Sequence, residues 1–454
     1  MCGIAGFIGK GNEEILKRMI KTLEHRGHDF LGADLKEGAG LAQARLSILD
    51  LSSNAHQPFY TEDGRYGIVF NGEIYNYVQL KEELAKHRAF SFRSTSDTEV
   101  LLYLYIVLGE KMLPMLNGMF AFVVYDFLEK KAFIARDRMG KKPFYYAIKE
   151  NTLVFGSELK ALLVHPLVSR KVNLSVLNEY LTYDYVPTPH AILEDVKKLD
   201  GGHYMVFQNG AITEEKAYYA THFHPTFTGT FDEAQTQLGN LLDDATAARL
   251  VADVPLGVFL SGGLDSSTIA YYAQKNATKQ INTFSIGFSN KSYDESDYAA
   301  LVAKKIGTQH HVEFLEAQDS LDLLPFITER MDEPFADPSI IPTYLLSKFT
   351  RSKVTVALGG DGSDELLAGY PTFISDRYKQ YYTALPSFVK AAIKGAVNWL
   401  PPSDKNISLD FKINQFLKGF DAKPQDIHTL WLSSFTPTEK ARLFSAQAKE
   451  TLKG

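Results

Sequence analysis

The stretch "PLGVFLSGGLDSSTIA" constrains the fold of this chain more than any other. An apolar run ending at Leu260 reads as a strand, Ser261 to Gly263 as a small-residue turn, and a helix begins near Asp265. The pattern then repeats. A helix is predicted over 233–250, followed by the strand "LGVFLS", a helix from 265, the strand "NTFSIGF", a helix around 295–306 and the strand "HHVEFL". Such alternation predicts a doubly wound parallel sheet.

A helix fed by a glycine turn offers free N–H groups and its positive dipole end to an anion. Ser261, Gly262 and Gly263 allow close backbone approach, and Ser266 and Ser267 add hydroxyls. No Lys follows the glycines, so this is not the Walker pattern. In its absence Asp265 can engage the Mg²⁺ that travels with phosphates. The stretch resembles the loop of pyrophosphate-loop ATPases. That resemblance implies a grip on the β- and γ-phosphates, leaving the α-phosphorus open to attack and making the chemistry adenylation. A second glycine-rich turn, "VALGGDGSDELLAGY", places Asp361, Asp364 and Glu365 near a helix start, which suits a metal or a developing ammonium. Asp337 among the prolines of "EPFADPSIIPTYLLS" is a weaker signal of the same kind.

Residues 1 to about 218 read differently, as strand-rich hairpins with a few helices between them, which predicts a layered sandwich. The run "YGIVFNGEIYN" is broken by Asn71-Gly72, a pair suited to a tight turn or a close backbone approach. Residues 219–231, "ATHFHPTFTGTFD" with its flank, lack an apolar period and read as a linker. After about 371 the chain turns helical and aromatic.

The only cysteine is Cys2. Removal of Met1 would leave its thiol beside its own α-amine, with an ordinary pKa of about 7.7–8.0, a base that needs no histidine. Such a thiolate attacks a carboxamide where an oxyanion site lies about 3 Å away. The Asn71 side chain and the Gly72 N–H can supply one, Arg45 can clamp an amino-acid carboxylate, and Asp97 can pair with its ammonium.

In family order the chain carries "MCGIAGF", "HRGHD", "ARLSILDL", "NGEIYN", "SDTEV", "ARDRMGKKPFYY", "GSELKAL", "SGGLDSS", "FSIGF" and "GGDGSDELLAGY". Over residues 1 to about 371 it resembles the glutamine-hydrolysing asparagine synthetases. The resemblance implies an αββα N-terminal-nucleophile glutaminase domain over 1–218, a linker at 219–231 and a pyrophosphatase-type α/β synthetase domain over 232–454, C-terminally short of the family pattern. It implies Cys2 as nucleophile with Asn71 and Gly72 as oxyanion donors. Glutamine would be held by Arg45, Leu46, Ser47, Ile48, Leu49, Asn71, Gly72, Glu73 and Asp97. It implies ATP contacts at Leu260, Ile286, Gly359 and Gly360, with Ser261, Gly262, Gly263, Asp265, Ser266 and Ser267 on pyrophosphate. Asp361 occupies the acidic position linked to the β-aspartyl adenylate, and Asp265 and Asp364 are the candidate Mg²⁺ ligands. The implied substrates are glutamine, aspartate and ATP.

Three departures stand out: His28 where the family has Pro, Lys141 where a small apolar residue is common, and no counterpart of a late Lys-Val-Asp-Arg-Met-Ser-Met stretch. An amidotransferase acting on another carboxylate, such as a sugar or peptide acid, and a non-catalytic or regulatory remnant both stay open. A net charge of −6 gives no basic field for nucleic acid or anionic lipid. With no apolar segment near 18 residues and no internal disulfide, a cytoplasmic chain off the membrane is expected, a homodimer being one option. Histidines in "HRGHD", "THFHP" and "TQHH" fit no common metal-ligand spacing.

Overall fold

The computed structural model describes residues 1–87, 89–397, 399, 408–421 and 427–452. The chain forms two compact units: residues 1–176, 187–239 and 251–254, and residues 177–186, 240–250 and 255–454.

The first unit holds twelve strands, β1 (Gly3–Ile8), β2 (Phe30–Lys36), β3 (Ala39–Arg45), β4 (Phe59–Tyr60), β5 (Tyr66–Ile74), β6 (Gly118–Asp126), β7 (Lys131–Arg136), β8 (Tyr145–Lys149), β9 (Thr152–Gly156), β10 (Lys197–Lys198), β11 (His203–Gln208) and β12 (Ala211–Ala217). They pair antiparallel in two six-stranded sheets, β10-β8-β9-β1-β3-β2 and β12-β11-β7-β6-β5-β4. Alternation sorts their side chains into layers. Ile4, Leu41, Val69, Val123, Ile134 and Met205 fill the space between the sheets. On the outer face of the first sheet, Ala5, Phe7, Ala42 and Ala44 pack with Leu16, Met19 and Ile20 of helix α1 (Glu13–Lys21). On the outer face of the second, Ile68, Phe70, Phe120 and Phe122 meet Leu80 and Leu84 of α2 (Tyr77–His87) and Leu101 and Leu104 of α3 (Asp97–Leu108). The order of layers is helix, sheet, sheet, helix.

Asn71 and Gly72 lie inside β5, and the strand pairs with β6 without interruption from Tyr66↔Asp126 to Ile74↔Gly118. No turn forms there. The close-approach reading holds instead, because a Cβ on Gly72 would stand 2.1 Å from the Met119 carbonyl oxygen. The turn chemistry expected of Asn-Gly appears at Asn209-Gly210, whose φ angles of 55° and 81° join β11 to β12.

Short helix α4 (Leu159–Leu162) and α5 (Leu174–Tyr183) follow, then α6 (Phe231–Arg249). From Leu177 to Val186 the chain belongs to the second unit. There Lys440 Nζ reaches Thr182 Oγ1 at 2.6 Å, Ser434 Oγ donates to Asp184 at 2.8 Å, and Asp184 O accepts the Ala336 N–H at 2.9 Å. This excursion is invisible to a boundary drawn at 218, because it rests on side chains far along the chain.

The second unit is built on β13 (Leu256–Phe259), β14 (Asn282–Phe288), β15 (Gln309–Leu315) and β16 (Val356–Leu358), all parallel, in the order β15-β14-β13-β16. Helices α7 (Leu264–Asn276) and α8 (Ser296–Ile306) bury Ala270, Ala273, Ala299 and Ala303 against Val258 and Leu260. Helix α9 (Ala317–Arg330), α10 (Ile340–Arg351) and α11 (Ser363–Leu367) complete the α/β part, and the described chain beyond Tyr370 is helical apart from its connections. The strand order reverses at β13, where ligands bind beyond the carboxyl ends of such sheets.

Candidate active sites

In the first unit the Cys2 thiol sits against one peptide of the loop after β3. Its Sγ is 3.5 Å from the Leu46 carbonyl oxygen as donor and 3.4 Å from the Leu46 N–H as acceptor. Burial pushes the thiol pKa up, while the Leu46 N–H, the α-amine, Lys142 and Arg45 all pull it down. The α-amine of Met1 is lowered to about 6, first by burial, with the charges of Lys142 and Arg26 adding to the effect. Arg26 Nε donates to the Cys2 carbonyl at 3.0 Å, and its Nη1 is held by Glu158 at 2.8 Å.

Arg45 is buried at the end of β3 and spends donors on its own loop. Its Nη1 reaches Ser52 O at 3.0 Å, while Nη2 reaches Leu49 O at 3.3 Å and Asp50 O as well. Three of its five N–H groups are thereby used, and two stay available for a carboxylate. Asp50 anchors the same loop, accepting Ser52 Oγ at 2.6 Å and the Thr95 N–H at 2.8 Å. Asp29 Oδ2 takes the Ser47 N–H at 2.8 Å. Residues 46–49 are thus held as a fixed edge beside the thiol.

Asp97 opens α3 behind the cap Ser96, and its Oδ2 accepts the Ile74 N–H at 2.9 Å. Burial raises its pKa to about 6, against the lowering by the hydrogen bonds from Ile74 and Ser96. Asn71 is fully buried, with Nδ2 3.4 Å from Ser157 Oγ. The structure therefore gathers Cys2, Arg45 and Leu46 at the start of β1 and the end of β3, links Ile4 to Asn71 of β5 through Ser157, and ties Asp97 to β5 by Ile74. Glu73 adds a negative charge near Lys142 and the α-amine.

In the second unit, β13 hands over to α7 through a self-braced turn. Ser261 Oγ and Ser266 Oγ are 2.9 Å apart, and the Gly263 N–H donates to Ser261 Oγ at 3.2 Å. Gly262 has φ +84°, and a Cβ there would stand 2.6 Å from the Ala299 N. Across the sheet's switch point, a Cβ on Gly360 would stand 2.8 Å from the Ser266 N. Both glycines are demanded by backbone. The two turns enclose a cleft of about 490 Å³ lined by Leu260, Ser261, Asp265, Ser266, Ile286, Gly359, Gly360, Asp361, Asp364 and Glu365 among others. Gly262, Gly263 and Ser267 are not on its wall; Gly262 faces α8, and Ser267 Oγ is buried without a partner among the described residues.

A cleft of hydroxyls, glycine backbone and carboxylates suits a nucleotide, and a half-buried thiol beside an arginine suits an amino-acid amide. Residues 1–219 match the glutamine amidotransferase domain family and residues 237–427 the asparagine synthase family. A Methanocaldococcus jannaschii protein with the provisional name glutamine-hydrolysing asparagine synthetase 2 is 36% identical over 86% of this chain and 79% of its own. This chain belongs to the glutamine-hydrolysing asparagine synthetase family. Asparagine synthetase 1 of Bacillus subtilis, also glutamine-hydrolysing, is 34% identical over 90% of the chain. The chain spans 65% of that relative's length.

Within this asparagine synthetase framework several residues escaped the sequence reading. Gln43, Gln57, Asp50, Lys142, Ser157 and Glu158 all brace the thiol site yet carry none of its expected roles. Asp50, Lys142, Ser157 and Glu158 lie inside the family-like stretches "ARLSILDL", "ARDRMGKKPFYY" and "GSELKAL", and that was the available signal. Lys141 is exposed and contributes its backbone N–H to Asp137 at 2.9 Å, so its side chain is free to vary. Among the described residues no group of three or more His, Cys, Asp or Glu could hold a metal. No helix among them is long and apolar enough to cross a membrane.

Proposed function

We propose that this chain makes asparagine from aspartate, using ammonia taken from glutamine and energy from ATP. The observation that carries the reading is the thiol of Cys2 held on the Leu46 peptide beside Arg45, with Asn71 and Gly72 on β5 of the facing sheet and Asn71 linked to Ile4 through Ser157. With Met1 removed, the Cys2 amine accepts the thiol proton, and the sulfur attacks the glutamine amide carbon. The Asn71 Nδ2 and Gly72 N–H stabilise the oxyanion. The amide nitrogen leaves as ammonia, protonated in transit by the same amine, and water releases glutamate from the thioester. Arg45 takes the glutamine carboxylate and Asp97 its ammonium.

In the second unit Ser261 and Ser266, where β13 hands over to α7, hold the β- and γ-phosphates of ATP, with Leu260, Ile286, Gly359 and Gly360 along the nucleotide. The aspartate side-chain carboxylate attacks the α-phosphorus, pyrophosphate departs, and ammonia displaces AMP from the β-aspartyl adenylate. Asp361 lies on the same cleft, where it can hold the attacking ammonia or take its proton. Mg²⁺ accompanying ATP would offset phosphate charge, and Asp265 and Asp364, both on the cleft wall, would supply hard oxygen ligands of the kind it prefers. As a pair they suit an ion whose remaining ligands are phosphate oxygens and water.

The test is purified chain with Mg-ATP, glutamine and a panel of carboxylates, following pyrophosphate, glutamate and amide product. Aspartate alone is expected to yield an amide. Cys2→Ala should abolish glutamate release and leave synthesis from added ammonia. Equal loss of both activities would sink the division of labour, and a response to another carboxylate would sink the choice of acceptor.

A further inference from the structure

The oxyanion assignment leaves a conflict in the hydrogen bonding of Asn71. Its Nδ2 points at Ser157 Oγ, 3.4 Å away, while its Oδ1 is buried with no partner. Ser157 Oγ already accepts the Ile4 N–H at 2.9 Å, and no acceptor takes its own hydrogen among the described residues. The two lone pairs of that oxygen are thus filled by donors while its hydrogen stays idle, next to an acceptor with nothing to accept among the described residues. A buried polar atom in that state is costly and is rarely left so. A half-turn of the amide about its Cβ–Cγ bond pairs that hydrogen with Asn71 Oδ1, because the oxygen and nitrogen ends of the amide are nearly the same size. Oδ1 then accepts the Ser157 hydroxyl hydrogen, and Nδ2 takes the place of Oδ1, a position that no donor of the described residues reaches.

We propose that Ser157 is a positioning residue that sets the Asn71 amide, taking its oxygen so that its nitrogen is presented to the substrate oxygen. The hydroxyl is fully buried, and its action is internal. It is also locked to the nucleophile strand in both directions, since the Ser157 N–H donates to the Ile4 carbonyl at 2.8 Å. Ile4 lies two residues after Cys2, which directly precedes that strand. One run of hydrogen bonds, Ile4 N–H to Ser157 Oγ–H to Asn71 Oδ1, registers the oxyanion donor against the thiol. The inference rests on the glutaminase reading proposed for Asn71.

Glutaminase kcat and KM would be measured for the full chain, Ser157→Ala, Ser157→Thr, Asn71→Ala and the Ser157→Ala/Asn71→Ala double variant. Loss of one oxyanion donor costs about 100- to 1,000-fold in kcat, and mispositioning one is expected to cost Ser157→Ala about 10- to 100-fold with KM within about threefold. In the Asn71→Ala background the same change should alter kcat less than about twofold, because its target is gone. Ser157→Thr, which keeps the hydroxyl, should recover kcat to within about threefold of the original chain. Ser157→Ala with unchanged kcat, or with the same loss in both backgrounds, would overturn the proposal. Asn71→Ala with unchanged kcat would instead overturn the oxyanion reading beneath it. A neutron structure of the unaltered chain needs no variant: the Asn71 oxygen is expected on the Ser157 hydroxyl, and nitrogen there overturns the proposal.

Discussion

The Gln57 side chain does for Phe70 what a neighbouring strand would do. Strand β4 pairs with β5 only at Ile68 and Gly67, and beyond it Gln57 Oε1 accepts the Phe70 N–H at 2.7 Å. Gln43 Nε2 completes the clamp on the Phe70 carbonyl at 2.7 Å, and Gln57 Nε2 continues to Thr98 Oγ1 at 3.0 Å. The peptide before Asn71 is thus gripped from the strand that carries Arg45 and from the helix that carries Asp97.

Replacing Gln57 by the similarly shaped Met would leave a buried N–H unpaired, which costs about 1–3 kcal/mol. Denaturant unfolding of Gln57→Met should show that loss, and KM for glutamine should rise as Arg45, Asn71 and Asp97 drift apart. A loss below about 0.5 kcal/mol would mean the clamp carries no weight.

Asp97 makes glutamine binding depend on pH. Burial holds its pKa up at about 6 in the free protein, so below that pH the carboxyl is neutral and cannot pair with an ammonium. The expected kcat/KM for glutamine falls about tenfold per pH unit on the acid side, with an apparent pKa near 6 that Asp97→Asn lacks. The raised pKa also makes the carboxylate a cost to folding above that pH, relieved as the pH falls. An acid limb that persists in Asp97→Asn would assign it to another group.

Glu158 works in the opposite direction. Burial alone would raise its pKa, but hydrogen bonds from His25 and Arg26 and the Arg26 charge hold it at about 2. Its stabilisation is full above the unfolded value of 4.5 and is lost as the pH falls from there toward 2. At about 1.4 kcal/mol per unit, the shift corresponds to a contribution on the order of 3 kcal/mol. Glu158→Gln should therefore be less stable than the original chain at pH 7, with the gap closing as both are titrated toward pH 2. A gap independent of pH would show that the charge is not its source.

Gly360 tests the nucleotide cleft. An alanine Cβ would press on the Ser266 N at the start of α7, and rigid backbone cannot yield as a flexible side chain would. Gly360→Ala is expected to lower ATP-dependent pyrophosphate release at least about tenfold while glutamine hydrolysis stays within about twofold. Unchanged pyrophosphate release would place the phosphates elsewhere.

Much of the framework was legible in the sequence because it depends on local order. The glycine turn after "LGVFLS" and the alternation that follows led to the parallel sheet, and the hairpins "MFAFVVYDFLEKKAFIARD" and "KPFYYAIKENTLVFGS" are β6-β7 and β8-β9. Asn71-Gly72 allowed either a turn or a close backbone approach, and the second holds, since a carbonyl crowds the glycine inside a strand. The bracing residues were harder to find. Gln43, Gln57 and Ser157 are ordinary polar residues in sequence, and their partners lie 27, 13 and 86 positions away.

By itself the sequence determined which chemical groups are available: one thiol at the second position, an Arg, an Asp and an Asn-Gly pair ahead of a phosphate-type turn. Periodicity and glycine placement act between near neighbours, so they can be read in line. Only the tertiary structure decided that Arg45 shares its donors with its own loop, that Asp97 is buried far enough to titrate near 6, and that Ser157 faces Asn71. Those facts depend on desolvation and on hydrogen bonds between strands remote in the chain, and neither exists until the layers have closed.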